Sequence, residues 1–317
     1  MVNAFLLMKY VNNNYDKDGQ LIGDHEHIAN KFLDYLKRFN DESFSELLVS
    51  STFIPDFYKK DSSQETLFTK LVEAMVCDWA RRMGFRSTLI KEKSSYEDVN
   101  ITIDNQLIVV DTKTFRLGRS QAAPNVKDFL KLEDIRKWCD RHEDAIGGLV
   151  TYPHLHEWKE GSDAYTYCST KDIPTVMLSY VHLAYLLHMK SNFETNSLSL
   201  LWNYDKIFPE KLFKKMPGGN KKAYWGVMQT ELINITNSDR KTYSAYINKY
   251  NKITLQAVKD IINSLKSNIE YEAKKAIAEV KEMDFKQIRE EYAKYKIKQE
   301  TSEYKKILNN VEKFRLK

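Results

Sequence analysis

The sequence predicts an α/β (α+β) fold: a central mixed β-sheet flanked by helices, with helical additions at both ends. Three observations carry this. A two-residue hairpin signal sits at residues 99–110. Strand and helix patterns alternate from about 62 to 190, the order expected when helices pack on a sheet. Outside that stretch apolar residues recur mainly at helical spacing. The implied organisation is an N-terminal helical segment over 1–61, a core over 62–204, and a basic loop with a helical region over 205–317.

Taken in order, Ile28, Phe32, Tyr35, Leu36 and Phe39 trace a helix from about His27, and Phe44, Leu47 and Leu48 a second, shorter one. Pro55 and the polar run 59–63 break the pattern. Ser62 with Glu65 three residues later forms a capping box that opens a long helix. Leu67, Leu71, Ala74, Met75 and Trp79 give its buried face, and Gly84 ends it. Glu65 and Glu73 are two turns apart on roughly one face. The plain reading is a cap for Glu65 and a solvated position for Glu73; the functional reading sends one of them toward an acidic site. Ser87–Ile90 is a short strand leading into the hairpin.

The hairpin organises the chain. Val99–Ile103 and Gln106–Val110 flank the turn pair Asp104–Asn105. Opposed residues in such a hairpin share one sum of numbers, so Ile103 faces Gln106, Ile101 faces Ile108 and Asp98 faces Asp111. Directly opposed residues share a side of the sheet, and Lys113, two past Asp111, joins them. At about 5 Å and an effective dielectric of about 20, the two carboxylates repel by roughly 3 kcal/mol. A cation between them relieves this, and paired carboxylates with a backbone carbonyl suit Mg²⁺. A lysine beside such a metal can orient a water and steady charge on an attacked phosphate. The plain alternative is a surface hairpin with acidic ends.

Beyond Lys113 come Arg116 and Arg119, basic residues just past the proposed active strand and candidate DNA contacts, then Pro124, suited to a first helical turn. Phe129, Leu132, Ile135 and Trp138 trace one face of a helix there, with Asn125, Lys127 and Asp128 crowding its start. In a major groove Asn suits adenine, Lys guanine, and Asp can accept from cytosine; these are also ordinary first-turn residues. Gly147–Tyr152 and Thr175–Leu178 are further strands, and Ser179 caps a helix over Val181–Met189. His25 and His27 read as surface residues, His154 and His156 as loop residues, and His182 and His188 as helix residues rather than ligands. The loop from Lys206 to Lys222 is basic, and its Lys214 and Lys215 can meet phosphates or stay solvated. Helical stripes follow: Leu255, Val258, Ile262, Leu265 and Ile269, then Phe285, Ile288 and Tyr292, then Tyr304, Ile307, Leu308 and Val311.

The 317 residues are 42% apolar and 12% aromatic, ample for a core. A net charge of +5 is compatible with a polyanion partner. Three cysteines without a CxxC pair argue against a disulfide framework and for a reducing, cytoplasmic setting. The N-terminus lacks the basic and long apolar regions of a signal peptide, and no apolar run approaches membrane-spanning length.

The stretch SSYEDVNITIDNQLIVVDTKTFRL resembles the nuclease signature PD-(D/E)xK, with Glu97 standing where the signature has proline. The segments SSQETLFTK (62–70), VDTKTFRLGR (110–119), NVKDF (125–129), VHLAYLL (181–187), and ETN followed by LWNY (194–204), resemble the HindIII-type restriction endonucleases in that order. The likeness covers roughly residues 53–204. It implies a restriction-endonuclease-like core with a DNA-reading helix, cutting double-stranded DNA at a palindrome as a homodimer with Mg²⁺. Asp98, Asp111 and the Thr112 carbonyl would hold the metal, Lys113 would position the attacking water, and Glu65 would sit at the site's edge. The family target AAGCTT fits Asn125, Lys127 and Asp128 as readers of A, G and C, with a cognate DNA methyltransferase as genetic partner. A repair or junction-resolving nuclease on the same core, or a non-catalytic DNA-binding protein, are the competing readings; the intact Asp98, Asp111 and Lys113 argue against the last.

Overall fold

Ser62 starts the helix against which most of the sheet-bearing unit packs. Its Oγ accepts the Glu65 N–H at 3.3 Å, and α4 runs from Ser63 to Arg82. Gly84 terminates it in a left-handed conformation (φ +91°), with the Phe85 N–H closing back on the Ala80 carbonyl at 2.9 Å. The computed structural model describes residues 5–91, 96–118, 126–153, 168, 172–208 and 221–311. It comprises two units, Met1–Lys259 and Asp260–Lys317.

In the first unit, α1 (Leu6–Asn12), α2 (His25–Leu36) and α3 (Asp41–Ser50) precede α4. Asp24 and Asn40 cap α2 and α3 by accepting the His27 and Ser43 N–H groups. Phe32, Leu36, Phe44 and Leu47 are wholly buried, so this segment completes the core. Helix α1 and the two-residue strand β1 (Phe53–Ile54) carried no sequence signal; β1 pairs in parallel with β5 (Phe115–Arg116). Two residues are too few for a period, and their partner lies some sixty positions away.

The five-stranded sheet has β2 (Arg86–Leu89), β3 (Val99–Ile103), β4 (Gln106–Thr112), β6 (Ala145–Tyr152) and β7 (Thr175–Ser179) in that spatial order. Strands β2, β3 and β4 are antiparallel, while β4, β6 and β7 are parallel, making the predicted mixed sheet. The turn residues Asp104 and Asn105 both have positive φ (+49° and +64°), as a two-residue hairpin turn of matching twist requires. Ile103 pairs with Gln106 and Ile101 with Ile108, the register expected from the sequence. Leu107 to Asp111 are all buried, because β4 lies between β3 and β6 and is covered on both faces. Gly147 allows close approach: at its φ of +148° an added Cβ would sit 2.1 Å from the Pro174 carbonyl oxygen.

The single helix expected around residues 125–138 is two helices, α5 (Val126–Phe129) and α6 (Leu132–Cys139), broken at Leu130 and Lys131. The reason is geometric. A straight helix turning about 100° per residue would place Phe129 and Trp138 on opposite sides. The break lets Phe129, Leu130, Ile135 and Trp138 all be buried.

After β7 come α7 (Tyr180–Met189), α8 (Tyr204–Ile207), α9 (Lys221–Ile235) and α10 (Arg240–Lys281), and α11 (Phe285–Val311) lies in the second unit. Trp79 of α4 donates its indole N–H to the Leu183 carbonyl of α7 at 2.8 Å. The buried stripe of α10 is Tyr243, Ile247, Tyr250, Thr254 and Ala257, offset from the expected one. Leu255, Ile262, Leu265 and Ile269 are exposed, as are Phe285 and Tyr292 of α11. Among the described residues no helix is long and apolar enough to cross a membrane.

His182 is a structural residue. It is buried, its Nδ1 accepts the Ser179 N–H at 3.2 Å, and its ring stacks on Trp225. Burial pushes the imidazole down to about 3. The unfolded chain therefore takes up this proton first, and stability present above about pH 6.5 drains away as pH falls toward the folded value. His182→Gln keeps an acceptor but does not titrate. Urea unfolding should show the variant losing about 2–3 kcal/mol less than the wild type between about pH 7 and about pH 4.5.

Candidate active site

The hairpin ends where the predicted chemistry begins. Asp98 stands immediately before β3, with its backbone held on both sides. Its N–H donates to the Val110 carbonyl (2.9 Å) and its carbonyl accepts the Ile90 N–H (3.0 Å). Its carboxylate Oδ2 accepts the Thr112 N–H at 2.6 Å, so the side chain crosses directly to the end of β4. Asp111 is buried near the end of β4, paired with Val150 of β6. Its Oδ1 lies 2.6 Å from Lys113 Nζ, while its Oδ2 is buried and accepts no hydrogen bond. Lys113 is the first residue past the strand. Its N–H donates to the Thr151 carbonyl (2.8 Å), and its ammonium lies 5.4 Å from the Phe129 ring centre. The structure thus brings Asp98, Asp111, Thr112 and Lys113 together.

The glutamate that joins them is Glu73, from the middle of α4. Burial, then repulsion from Glu73 and Asp111, holds the Asp98 carboxyl well above the usual carboxylate range. The Thr112 N–H and the Lys113 ammonium oppose this without reversing it. Burial also raises Glu73, against the pull of Lys70, and Asp111 adds to the rise. Lys70 Nζ lies 2.7 Å from Glu73 Oε2 and donates to the Ile90 carbonyl at 2.6 Å. Both side chains are only 13% exposed, so this is an enclosed pair rather than a solvated helix contact. Three carboxylates therefore face two lysines.

This donor set fits a hard divalent cation. Asp111 Oδ2 is an orphaned buried carboxylate oxygen, and Asp98 adds a second carboxylate. Among the described residues no group of three or more His, Cys, Asp and Glu side chains forms a ready metal cage.

Glu65 and Arg116 form a different structure. Glu65 Oε2 accepts the Asp61 N–H at 2.6 Å, and its Oε1 takes Arg116 Nη2 at 2.9 Å and Nε at 3.2 Å. Arg116 Nη1 also donates to the carbonyls of Tyr58 (2.8 Å) and Pro55 (3.2 Å). The pair ties the turn after β1 to the start of α4. Arg119, Asn125, Lys214 and Lys215 lie outside the described residues, as do the side chains of Lys127 and Asp128 on α5. Sequence reasoning missed Lys70, which reads as an ordinary i,i+3 partner of Glu73, and Tyr180, whose hydroxyl donates to the Lys113 carbonyl at 2.9 Å.

A family model described as HindIII restriction endonuclease matches residues 10–294. The type II restriction enzyme HindIII of Haemophilus influenzae (strain ATCC 51907 / DSM 11121 / KW20 / Rd) is 29% identical over 192 residues, 59% of this chain and 59% of that protein.

The raised Asp98 carboxyl has a stability consequence. The native state holds this proton more tightly than the unfolded chain, so metal-free stability falls as pH rises from the usual carboxylate range toward the raised value. Asp98→Asn removes that loss while keeping an acceptor for the Thr112 N–H. In chelator at about pH 8 the variant should be more stable than the wild type, with the gap closing toward about pH 4. Denaturant titrations at the two pH values measure it.

Proposed function

Since the chain belongs to the HindIII restriction endonuclease family, we propose that it is a type II restriction endonuclease. It hydrolyses phosphodiester bonds of double-stranded DNA at a short palindrome, for which AAGCTT is the candidate, with Mg²⁺ as cofactor. The observation that carries this reading is the cluster at the end of β4: Asp98 and Asp111 side by side, one buried carboxylate oxygen without a partner, and a lysine 2.6 Å away.

Asp98, Asp111 and the Thr112 carbonyl are the residues that would hold the metal. When bound, Mg²⁺ supplies charge neutralisation at the attacked phosphate and a more acidic water. Lys113 orients the nucleophilic water and stabilises developing negative charge, its ammonium held in place by Asp111 and the face of Phe129. Glu73, with Lys70 as its counter-charge, extends the acidic wall. Glu65 and Arg116 brace the site's edge. Arg119, Lys214 and Lys215 contact phosphates, while Asn125, Lys127 and Asp128 read base edges.

A palindromic target is met most simply by a two-fold homodimer with one active site for each strand. The exposed apolar residues of α10 and α11 support that assembly. A cognate DNA methyltransferase and a cytoplasmic setting complete the proposal; Cys77, Cys139 and Cys168 are free thiols.

Digestion of a sequenced plasmid with purified protein and Mg²⁺, followed by end mapping, tests the activity and gives the site. Asp111→Asn should abolish cleavage with DNA binding largely kept. Lys113→Ala should keep metal binding but lose most of the rate. Near-wild-type cutting by Asp111→Asn in saturating Mg²⁺ would remove the metal assignment.

Recognition has its own test. Asp128→Ala should lose about 1–3 kcal/mol of discrimination between cognate and one-base-changed duplexes, while salt-dependent binding to random DNA persists. Competition binding at fixed salt measures the ratio, and an unchanged ratio would exclude Asp128 as a base reader.

A further inference from the structure

The buried phenol of Tyr180 takes no part in the chemistry assigned above, yet it lies close to it. Tyr180 is the first residue of α7 and is fully buried. Its hydroxyl donates to the Lys113 carbonyl at 2.9 Å and accepts the Thr151 Oγ1 hydroxyl at 3.5 Å. Lys113 lies just past the end of β4 (Gln106–Thr112). Its N–H is held by the Thr151 carbonyl of β6 at 2.8 Å. Its carbonyl is held by Tyr180, which follows directly on β7. The two sides of one residue's backbone are thus fixed by strand β6 and by the first residue of α7. Asp98, Asp111 and Glu73 are near enough to act electrostatically on the phenol, which places it close to the carboxylate cluster.

We infer that Tyr180 is a positioning residue for Lys113, aiming the ammonium through the backbone rather than through its side chain. This rests on the reading of Lys113 as the group that acts on water. A lysine on a free strand end could swing with its own carbonyl. With the carbonyl tied to a rigid buried ring, the direction of the Cα–Cβ bond is set before substrate arrives. Misplacement of a reacting group by about 1 Å can cost about a hundred-fold in rate. The phenol is also neutral and donates one hydrogen bond, so its loss leaves the charge balance of the site unchanged.

The test is single-turnover cleavage of a cognate duplex by the full chain carrying Tyr180→Phe, which removes one oxygen and little volume. The expected result is a rate about ten- to a hundred-fold lower, with DNA affinity unchanged and the protein fully folded at the assay temperature. In a Lys113→Ala background the same substitution should have less than a two-fold further effect, because its route runs through Lys113. A merely structural residue would not show that dependence. Tyr180→Met removes the same hydroxyl and serves if the phenylalanine variant fails to fold. Wild-type-like turnover in either folded variant, or an undiminished effect in the Lys113→Ala background, overturns the inference alone. Absence of cleavage by the wild-type protein, or full activity of Lys113→Ala, overturns the reading of Lys113 on which it depends.

Discussion

Everything around the site answers to one constraint: Asp98, Asp111 and Glu73 share a small, largely buried volume. Like charges that close in a poorly solvated place cannot all ionise without compensation. The protein meets part of the demand internally. Lys113 sits on Asp111, Lys70 sits on Glu73, and the Thr112 N–H points at Asp98. What remains uncompensated is concentrated on Asp98 and on the orphaned oxygen of Asp111. A fold selected only for stability would place apolar residues there, since an incompletely paired buried charge is costly. Retaining the charges is what the proposed role in receiving a cation and a phosphate requires.

The scaffold's work is to hold those charges against their repulsion. Strand β4 is the strand best suited to it, flanked by β3 on one side and β6 on the other. Asp98 is reached through the hairpin, whose two-residue turn determines which residues meet at its open end. Glu73 arrives from α4, which is anchored by its cap at Ser62 and by Trp79 to α7. Lys70 links the same helix to Ile90, and Ile90 in turn holds the Asp98 carbonyl. Helix, edge strand and hairpin are therefore joined by a continuous chain of polar contacts ending at the site.

Glu65 and Arg116 show how the same residue types can serve a different end. Their contacts close the short pairing of β1 with β5 and satisfy backbone carbonyls at Pro55 and Tyr58. That join braces the segment running out of the site past Lys113. The break between α5 and α6 has a similar logic. Burying Phe129 beneath the Lys113 ammonium and Trp138 in the core requires two helix directions.

The sequence alone determined what is local or periodic. The hairpin register followed from a turn pair and a period of two, so the meeting of Asp98 with Asp111 and Lys113 was legible. So were the capped start of α4, its glycine stop, and the strands β6 and β7 with the helix after them. Tertiary structure decided what depends on distant contacts. Glu65 and Glu73 are equivalent by spacing, and only the packing of α4 on the sheet shows which one joins the aspartates. Lys70 reads as a surface partner until Ile90, twenty residues on, accepts its second bond. Arg116 reads as a DNA-contacting cation, and only the fold shows its guanidinium donating to the Pro55 and Tyr58 carbonyls after β1. Tyr180 reads as a core aromatic until its hydroxyl meets a backbone carbonyl sixty-seven positions earlier. In each case a short-range pattern specified the residue's element, while its partner was supplied by chain brought alongside through folding.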